Sequence, residues 1–255
     1  QRIRNSSRHA DTPILMLTLK SDPVSIEQAF AAGANDYITK PFEIKEIATR
    51  LRVAKRMTEI SDTVPRLNPY TMTKHGLPGI HKFHVEDPVF VTGINQMILP
   101  FSLGNYLSQL SRTNLKICQA FAIKIDDIDL LYGNGTSREF ASVIAAAAQT
   151  IAQVVDCPQL LMAYNGDGTI LCIVTEERAP IWQDLENRLQ AELDKVDLRD
   201  DDGRAMKVTL SVGRAVHPSA NRTQRVKFTF DRVVRLAEAR QSAKFKAEAH
   251  EVHSI

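Results

Sequence analysis

AYNGDGTILC, residues 163–172, decides the fold. An aromatic residue leads into a polar turn holding two glycines and one aspartate, and an apolar run follows. Such a turn could handle phosphate, or it could only join two strands. The flanks, LLMAY (160–164) and TILCIVT (169–175), are short apolar runs rich in residues that favour strands. Asn-Gly and Asp-Gly tolerate the positive φ that tight hairpins require. NGDG therefore reads as a two-residue hairpin turn, and any phosphate contact depends on what surrounds it.

Working outward, AFAIKID (120–126) alternates, with Phe121, Ile123 and Ile125 on one face. TSRE (136–139) matches a capping box, with Thr136 as N-cap and Glu139 reaching back. The helix it opens carries Phe140, Val143, Ile144, Ala147, Ile151 and Val154 on its apolar stripe. Ala179-Pro180 opens a second helix, with Ile181, Leu185, Leu189 and Val196 inward. DLRDDDGR (197–204) is an acidic turn, KVTLSVG (207–213) a strand, and residues 228–246 a basic terminal helix. A helix from about Ile94 to Leu110, kinked or restarted at Pro100, precedes the set. The βαββαβ order predicts a ferredoxin-like α+β split sheet with helices on one face.

Residues 13–60 follow a different rhythm. PILMLT (13–18) is the continuous apolar run of a buried parallel strand. Asp22-Pro23 starts a helix that ends near Gly33, NDYITKPF (35–42) is a second strand, and residues 43–57 form an amphipathic helix. Residues 61–87 lose periodicity and hold three prolines, which predicts a linker. HKFH (81–84) has two histidines but no further ligands nearby, so it reads as exposed linker rather than a metal site.

A formal net charge of +2 over 255 residues argues against a protein built to neutralise nucleic acid. No apolar run is long enough to span a bilayer. Cys118, Cys157 and Cys172 are scattered and follow no ligand spacing, so they read as buried thiols in a reducing cytoplasm. The opening QRIRNSSRHAD reads as the tail of an earlier element, with upstream residues missing.

PILMLT, AAGANDYITKPF and the following amphipathic helix together resemble the C-terminal half of a response-regulator receiver domain, a doubly wound flavodoxin-like fold. The resemblance implies that Thr18 senses a phosphoryl group, Lys40 is its charge partner and Tyr37 moves with the switch. It also implies a cis Lys40–Pro41 bond. The phosphoaccepting aspartate and the Mg²⁺ pocket belong to earlier strands in that family, so no cofactor is expected in this stretch. An upstream histidine kinase or phosphotransfer protein is the implied partner.

Beyond the linker, VFVTGIN (89–95), AIKIDDIDLL (122–131), AYNGDGT (163–169), VTLSVG (208–213) and AEARQSAK (237–244) resemble an eroded GGDEF domain, the diguanylate cyclase family. The implied organisation is a receiver half at 1–60, a linker at 61–87 and a degenerate cyclase-like domain at 88–255. Joining two GTP molecules needs carboxylates to hold divalent ions. By resemblance, Lys124 stands at the first metal-binding aspartate and Tyr132 at the guanine-contacting asparagine. Ala163 replaces the signature arginine. In Asn165, Gly166, Asp167 and Gly168 only the middle pair survives, with Gly168 where an acid belongs. Asp156 and Gln159 fall where the product-inhibition R-x-x-D would be. A shifted register would bring Asp126, Asp127 or Asp129 into play instead. Lys244 stands at a phosphate-binding lysine.

The expectation is a two-component response regulator whose output domain is catalytically inactive and works through an unidentified protein partner or by homodimerisation. The alternative is a divergent cyclase, or an effector for GTP or cyclic di-GMP, in which Lys124 and Lys244 neutralise phosphate. Neither nucleic acid nor membrane is an expected partner.

Overall fold

A computed structural model of the chain describes residues 2–3, 12–61, 64–72, 76–176 and 184–252. The architecture is mixed α/β, with helices interspersed among three sheets. It opens with β1 (Leu15–Thr18), α1 (Pro23–Ala31), β2 (Asp36–Thr39) and α2 (Ile44–Ser61). β1 and β2 pair in parallel, with Leu15 opposite Asp36 and Thr18 opposite Thr39. Asp22 caps α1 by accepting the Ser25 N–H at 2.8 Å, and Pro23 occupies a position where no donor is needed. The Lys40–Pro41 peptide is cis.

Short strands β3 (Arg66–Leu67) and β4 (Phe90–Val91) pair in parallel. HKFH is exposed only at Lys82 and His84. Phe83 is buried in the core and His81 is half-buried, because both rings find aromatic partners on the following domain.

Pro100 opens α3 (Pro100–Gln109) instead of kinking a helix begun at Ile94. Met97 forms a parallel bridge with Met162 at a sheet edge, where the Met162 N–H donates to the Gln96 carbonyl and the Ile98 N–H to the Met162 carbonyl, both at 2.8 Å. A proline presets φ for the first helical turn, so it marks a start more readily than an interior.

Then come α4 (Arg112–Ile117), β5 (Cys118–Ile125), α5 (Ile128–Asn134), α6 (Ser137–Val155), β6 (Leu160–Tyr164) and β7 (Thr169–Thr175). The chain closes with α7 (Leu185–Leu193), β8 (Leu210–Val212) and α8 (Arg225–Val252). Both halves of the capping box on α6 form, at 3.2 Å to the Thr136 hydroxyl and 2.7 Å to the Glu139 carboxylate. The expected helix start at Ala179-Pro180, with Ile181, lies outside the described residues. Val196, expected inward, lies beyond the end of α7 and is exposed.

The main sheet has the order β6-β7-β5-β8, antiparallel throughout. Its two faces support separate cores. Phe121, Ile123 and Ile125 pack with the buried residues of α6 and α7, while Cys118, Ala120 and Ala122 pack under α3 and α8. Helices therefore cover both faces, not one. β5 is apolar on both sides, and the small residues on its second face let Tyr106, Leu107 and Val233 approach closely. The three cysteines are free and buried, and burial pushes the Cys118 and Cys157 thiols up to about 12.

Candidate functional site

The β6–β7 hairpin is closed by its own backbone. The Asn165 N–H donates to the Thr169 carbonyl at 2.9 Å, and the Thr169 N–H donates to the Gly166 carbonyl at 2.8 Å. Gly166, Asp167 and Gly168 have φ of 89°, 53° and 66°. The loop thus has three left-handed residues, where a two-residue turn was expected. Two of the three are glycine because the chain crowds them. A Cβ at Gly166 would stand 2.0 Å from the Glu86 carbonyl oxygen, and one at Gly168 would stand 2.8 Å from that of Ile125. Asn165 and Asp167 face solvent.

Lys124, only 7% exposed, donates its ammonium to the Asp167 carbonyl. Two residues on, Asp126 is buried and fully engaged. Its Oδ1 accepts from the Ser211 hydroxyl at 2.8 Å and the Gln241 amide at 2.9 Å, and its Oδ2 accepts from Lys244 Nζ at 2.9 Å. Lys244 also donates to the Leu210 carbonyl at 3.2 Å. Beside it, Arg240 grips both oxygens of Glu186, which also accepts the Val212 N–H. Burial pulls the Glu186 carboxyl upward, but Arg240 and that N–H outweigh it and hold the group below its ordinary range. Asp127 and Asp129 are exposed. Ala163 is buried on the opposite face of the sheet from Tyr164, in the core shared with α3.

Magnesium does not fit this set. It takes oxygen ligands, and here an ammonium holds the hairpin carbonyl while the buried carboxylate of Asp126 is occupied by three donors. Among the described residues no three His, Cys, Asp or Glu side chains gather to hold a metal ion.

Aromatic side chains before and after β5 pack on one another near the hairpin. Tyr132 stacks on His81, with centroids 4.1 Å apart and planes at 25°, and its hydroxyl donates to the Phe83 carbonyl. His81 Nε2 donates to the Tyr132 carbonyl at 2.7 Å, which leaves Nδ1 to accept from the Ser137 hydroxyl at 2.9 Å. Phe83 and Phe140 complete the cluster. Farther along the same strap, the Asp167 N–H donates to the Val85 carbonyl at 2.8 Å.

The residues singled out in the first segment meet at the ends of β1 and β2. The Thr18 hydroxyl accepts the Lys20 N–H at 3.1 Å, and the Lys40 N–H donates to the Thr18 carbonyl at 2.8 Å. The Lys40 side chain is exposed. Tyr37 is buried, and its hydroxyl donates to the Lys20 carbonyl at 2.7 Å.

The joint between this segment and α3 carries polar contacts that no sequence motif announced. The Tyr106 hydroxyl donates to Glu27 Oε1 at 2.5 Å and lies 2.8 Å from the Thr175 hydroxyl. Phe30 meets the Tyr106 ring edge-on at 5.4 Å. Asn105 donates to the Asn35 carbonyl at 2.8 Å, and Gln109 donates to buried Asp36 at 2.6 Å. Glu27 is 2% exposed, and burial pushes its carboxyl up to about 8 against the pull of the Tyr106 and Thr175 hydroxyls. The only available signal is a carboxylate set between the apolar positions Ile26 and Phe30 of α1.

Residues 1–52 match the family model of the response regulator receiver domain. The DNA-binding dual master transcriptional regulator RpaA of Synechocystis is 44% identical over 59 residues, 23% of this chain and 24% of that protein. The transcriptional regulatory protein SrrA of Staphylococcus aureus is 40% identical over 62 residues, 24% and 25% of the two chains. The match thus spans about a quarter of these relatives. Among solved structures, the GGDEF domain of DgcB from Caulobacter crescentus, in complex with c-di-GMP, aligns with TM-score 0.46 and 16% identity, covering 66% of this chain and 94% of that one. The FimX GGDEF domain from Pseudomonas aeruginosa aligns with TM-score 0.43 and 15% identity, covering 54% and 82%. The N-terminal region of this chain is thus similar to a response regulator receiver domain.

Proposed function

We propose that this chain is a response-regulator signalling protein whose GGDEF-like domain does not join GTP and acts instead by binding a protein partner or a second copy. The observation that carries the reading is the Lys124 ammonium on the Asp167 carbonyl, beside a Gly168 that has no room for an acidic side chain. Where the reaction needs metal-bound carboxylates, this chain presents a cation and a bare backbone. The His81–Phe83 strap supports the same reading, because it packs against Tyr132, the residue at the expected guanine-contacting position.

The strand order β6-β7-β5-β8 supports a ferredoxin-like split sheet for the output domain, and the parallel β1–β2 pair supports a flavodoxin-like receiver remnant. An upstream kinase or phosphotransfer protein would supply the input, in the cytoplasm. The nucleotide-effector alternative loses its second cation, since Lys244 is committed to Asp126. The test is incubation of the chain with GTP and Mg²⁺, followed by chromatography for cyclic di-GMP and pyrophosphate. No product above the buffer control is expected, and time-dependent product would overturn the proposal.

A further inference from the structure

A second feature lies at the far end of the sheet and is independent of the reading above. Cys118 is opposite Thr175 at that end, while Lys124 is opposite Thr169 at the hairpin end. They stand six positions apart along β5, about 20 Å. There α4, the residues after β8 and the start of α8 enclose a cleft of about 1000 Å³. It is lined by the cations Arg112, Lys116, Arg222 and Arg225 and by His217, with no carboxylate among the lining residues.

Arg225 is the anchor. It is only 5% exposed, and its Nε and Nη1 donate to backbone carbonyls. Nε donates to Ser219 at 3.0 Å, and Nη1 donates to Leu110 at 3.0 Å and Ser108 at 3.2 Å. Carbonyls accept from Nε and Nη1 but do not cancel the charge, and buried charges are ordinarily paired. Burial, then the neighbouring Arg222 charge, pulls its guanidinium below the ordinary range. Among the described residues, Arg112, Lys116, Arg222 and Arg225 make no ion pair, whereas Arg138, Lys227, Arg240 and Lys244 each have a carboxylate partner. His217 is oriented by its Nδ1, which donates to the Cys118 carbonyl at 2.9 Å and leaves Nε2 unused by that bond.

We propose that this cleft is a binding site for a small phosphorylated anion of pyrophosphate or nucleotide type. Concavity favours a compact ligand over an extended one, and the size lies in the range of small-molecule sites. Guanidinium forks match phosphate oxygens two at a time, and Lys116 adds a point charge. A bound anion would supply the countercharge that Arg225 lacks.

The test is calorimetric titration of the full chain with inorganic pyrophosphate and with GTP, at physiological salt and without Mg²⁺. Saturable one-to-one binding is expected. Arg112→Glu with Arg222→Glu should weaken it tenfold or more, on the order of the loss of two charge-assisted contacts. Arg199→Glu with Lys227→Glu makes the same change in net charge at exposed, already paired positions and should leave it unchanged. Thermal unfolding checks that both doubles fold. Equal affinity for the two probes places recognition on phosphate alone, and tighter GTP binding adds contacts from the nucleoside; either result upholds the site if the first double weakens it. Absence of saturable binding, or equal loss in both doubles, overturns it. So does an oligothymidylate that binds more tightly than pyrophosphate and is released by the first double, which would assign the cleft to nucleic acid.

Discussion

Glu27 makes the joint between the receiver-like segment and the C-terminal domain sensitive to pH. Its carboxyl is raised from about 4.5 to about 8, chiefly by burial. One oxygen accepts from Tyr106, while Oε2 has no partner among the described residues. The neighbouring charges, from Asp22 and Glu176, are both negative and push in the same direction. A raised carboxyl pKa means that the folded chain binds the proton more tightly than the unfolded chain. This contribution is fully present below about 4.5, the unfolded value, and is lost as pH rises toward about 8. Each pH unit inside that window removes up to about 1.4 kcal/mol. Between pH 5.5 and 7.5 the loss should therefore approach roughly 2–3 kcal/mol. Glu27→Gln keeps the acceptor for Tyr106 and cannot ionise. Urea unfolding across that range, followed by circular dichroism, should show the wild-type midpoint falling relative to the variant as pH rises. Parallel pH profiles for the two proteins would refute the reasoning.

Other substitutions test the site. Asp126→Ala leaves Lys244, Gln241 and Ser211 facing an empty position, and chemical denaturation should register a loss of about 3 kcal/mol. Gly168→Glu, which puts an acid into the hairpin, should destabilise by about 1–3 kcal/mol and yield no turnover, because the residue sits at φ 66° against the Ile125 carbonyl. Tyr132→Phe removes the hydroxyl bond to Phe83 but keeps the stack on His81, so a thermal melt should show a loss of about 1 kcal/mol. Thr136→Ala breaks the capping box of α6, also at about 1 kcal/mol by denaturation.

The features legible in the sequence were those written locally. The capping box at Thr136 and Glu139 needs four consecutive residues, and Asp22-Pro23 needs two. Pro100 is equally visible, yet its meaning depends on Met97 bridging Met162 across the sheet edge. The segment before Asp87 looked like linker because it lacks periodicity. Its order comes from His81 and Phe83 docking on Tyr132 and Phe140, about fifty positions away. The joint was the least legible part. Glu27 and Tyr106 are 79 positions apart, and Tyr106 and Thr175 are 69 apart, so no spacing rule links them. Asp126 and Lys244 were each noticed, but only the fold shows that each occupies the other.

The contact of α3 with α1 and β2 has a competitive consequence. Phe30, Asn35 and Asp36 are already engaged by Tyr106, Asn105 and Gln109, so an outside protein that reads this face must first displace α3. Its measured affinity is then its intrinsic affinity multiplied by the fraction of molecules in which the joint is open. A joint closed in about 99 of 100 molecules would weaken such a partner about a hundredfold. Anything that loosens the joint, including ionisation of Glu27, would return that factor without altering a single residue that the partner touches.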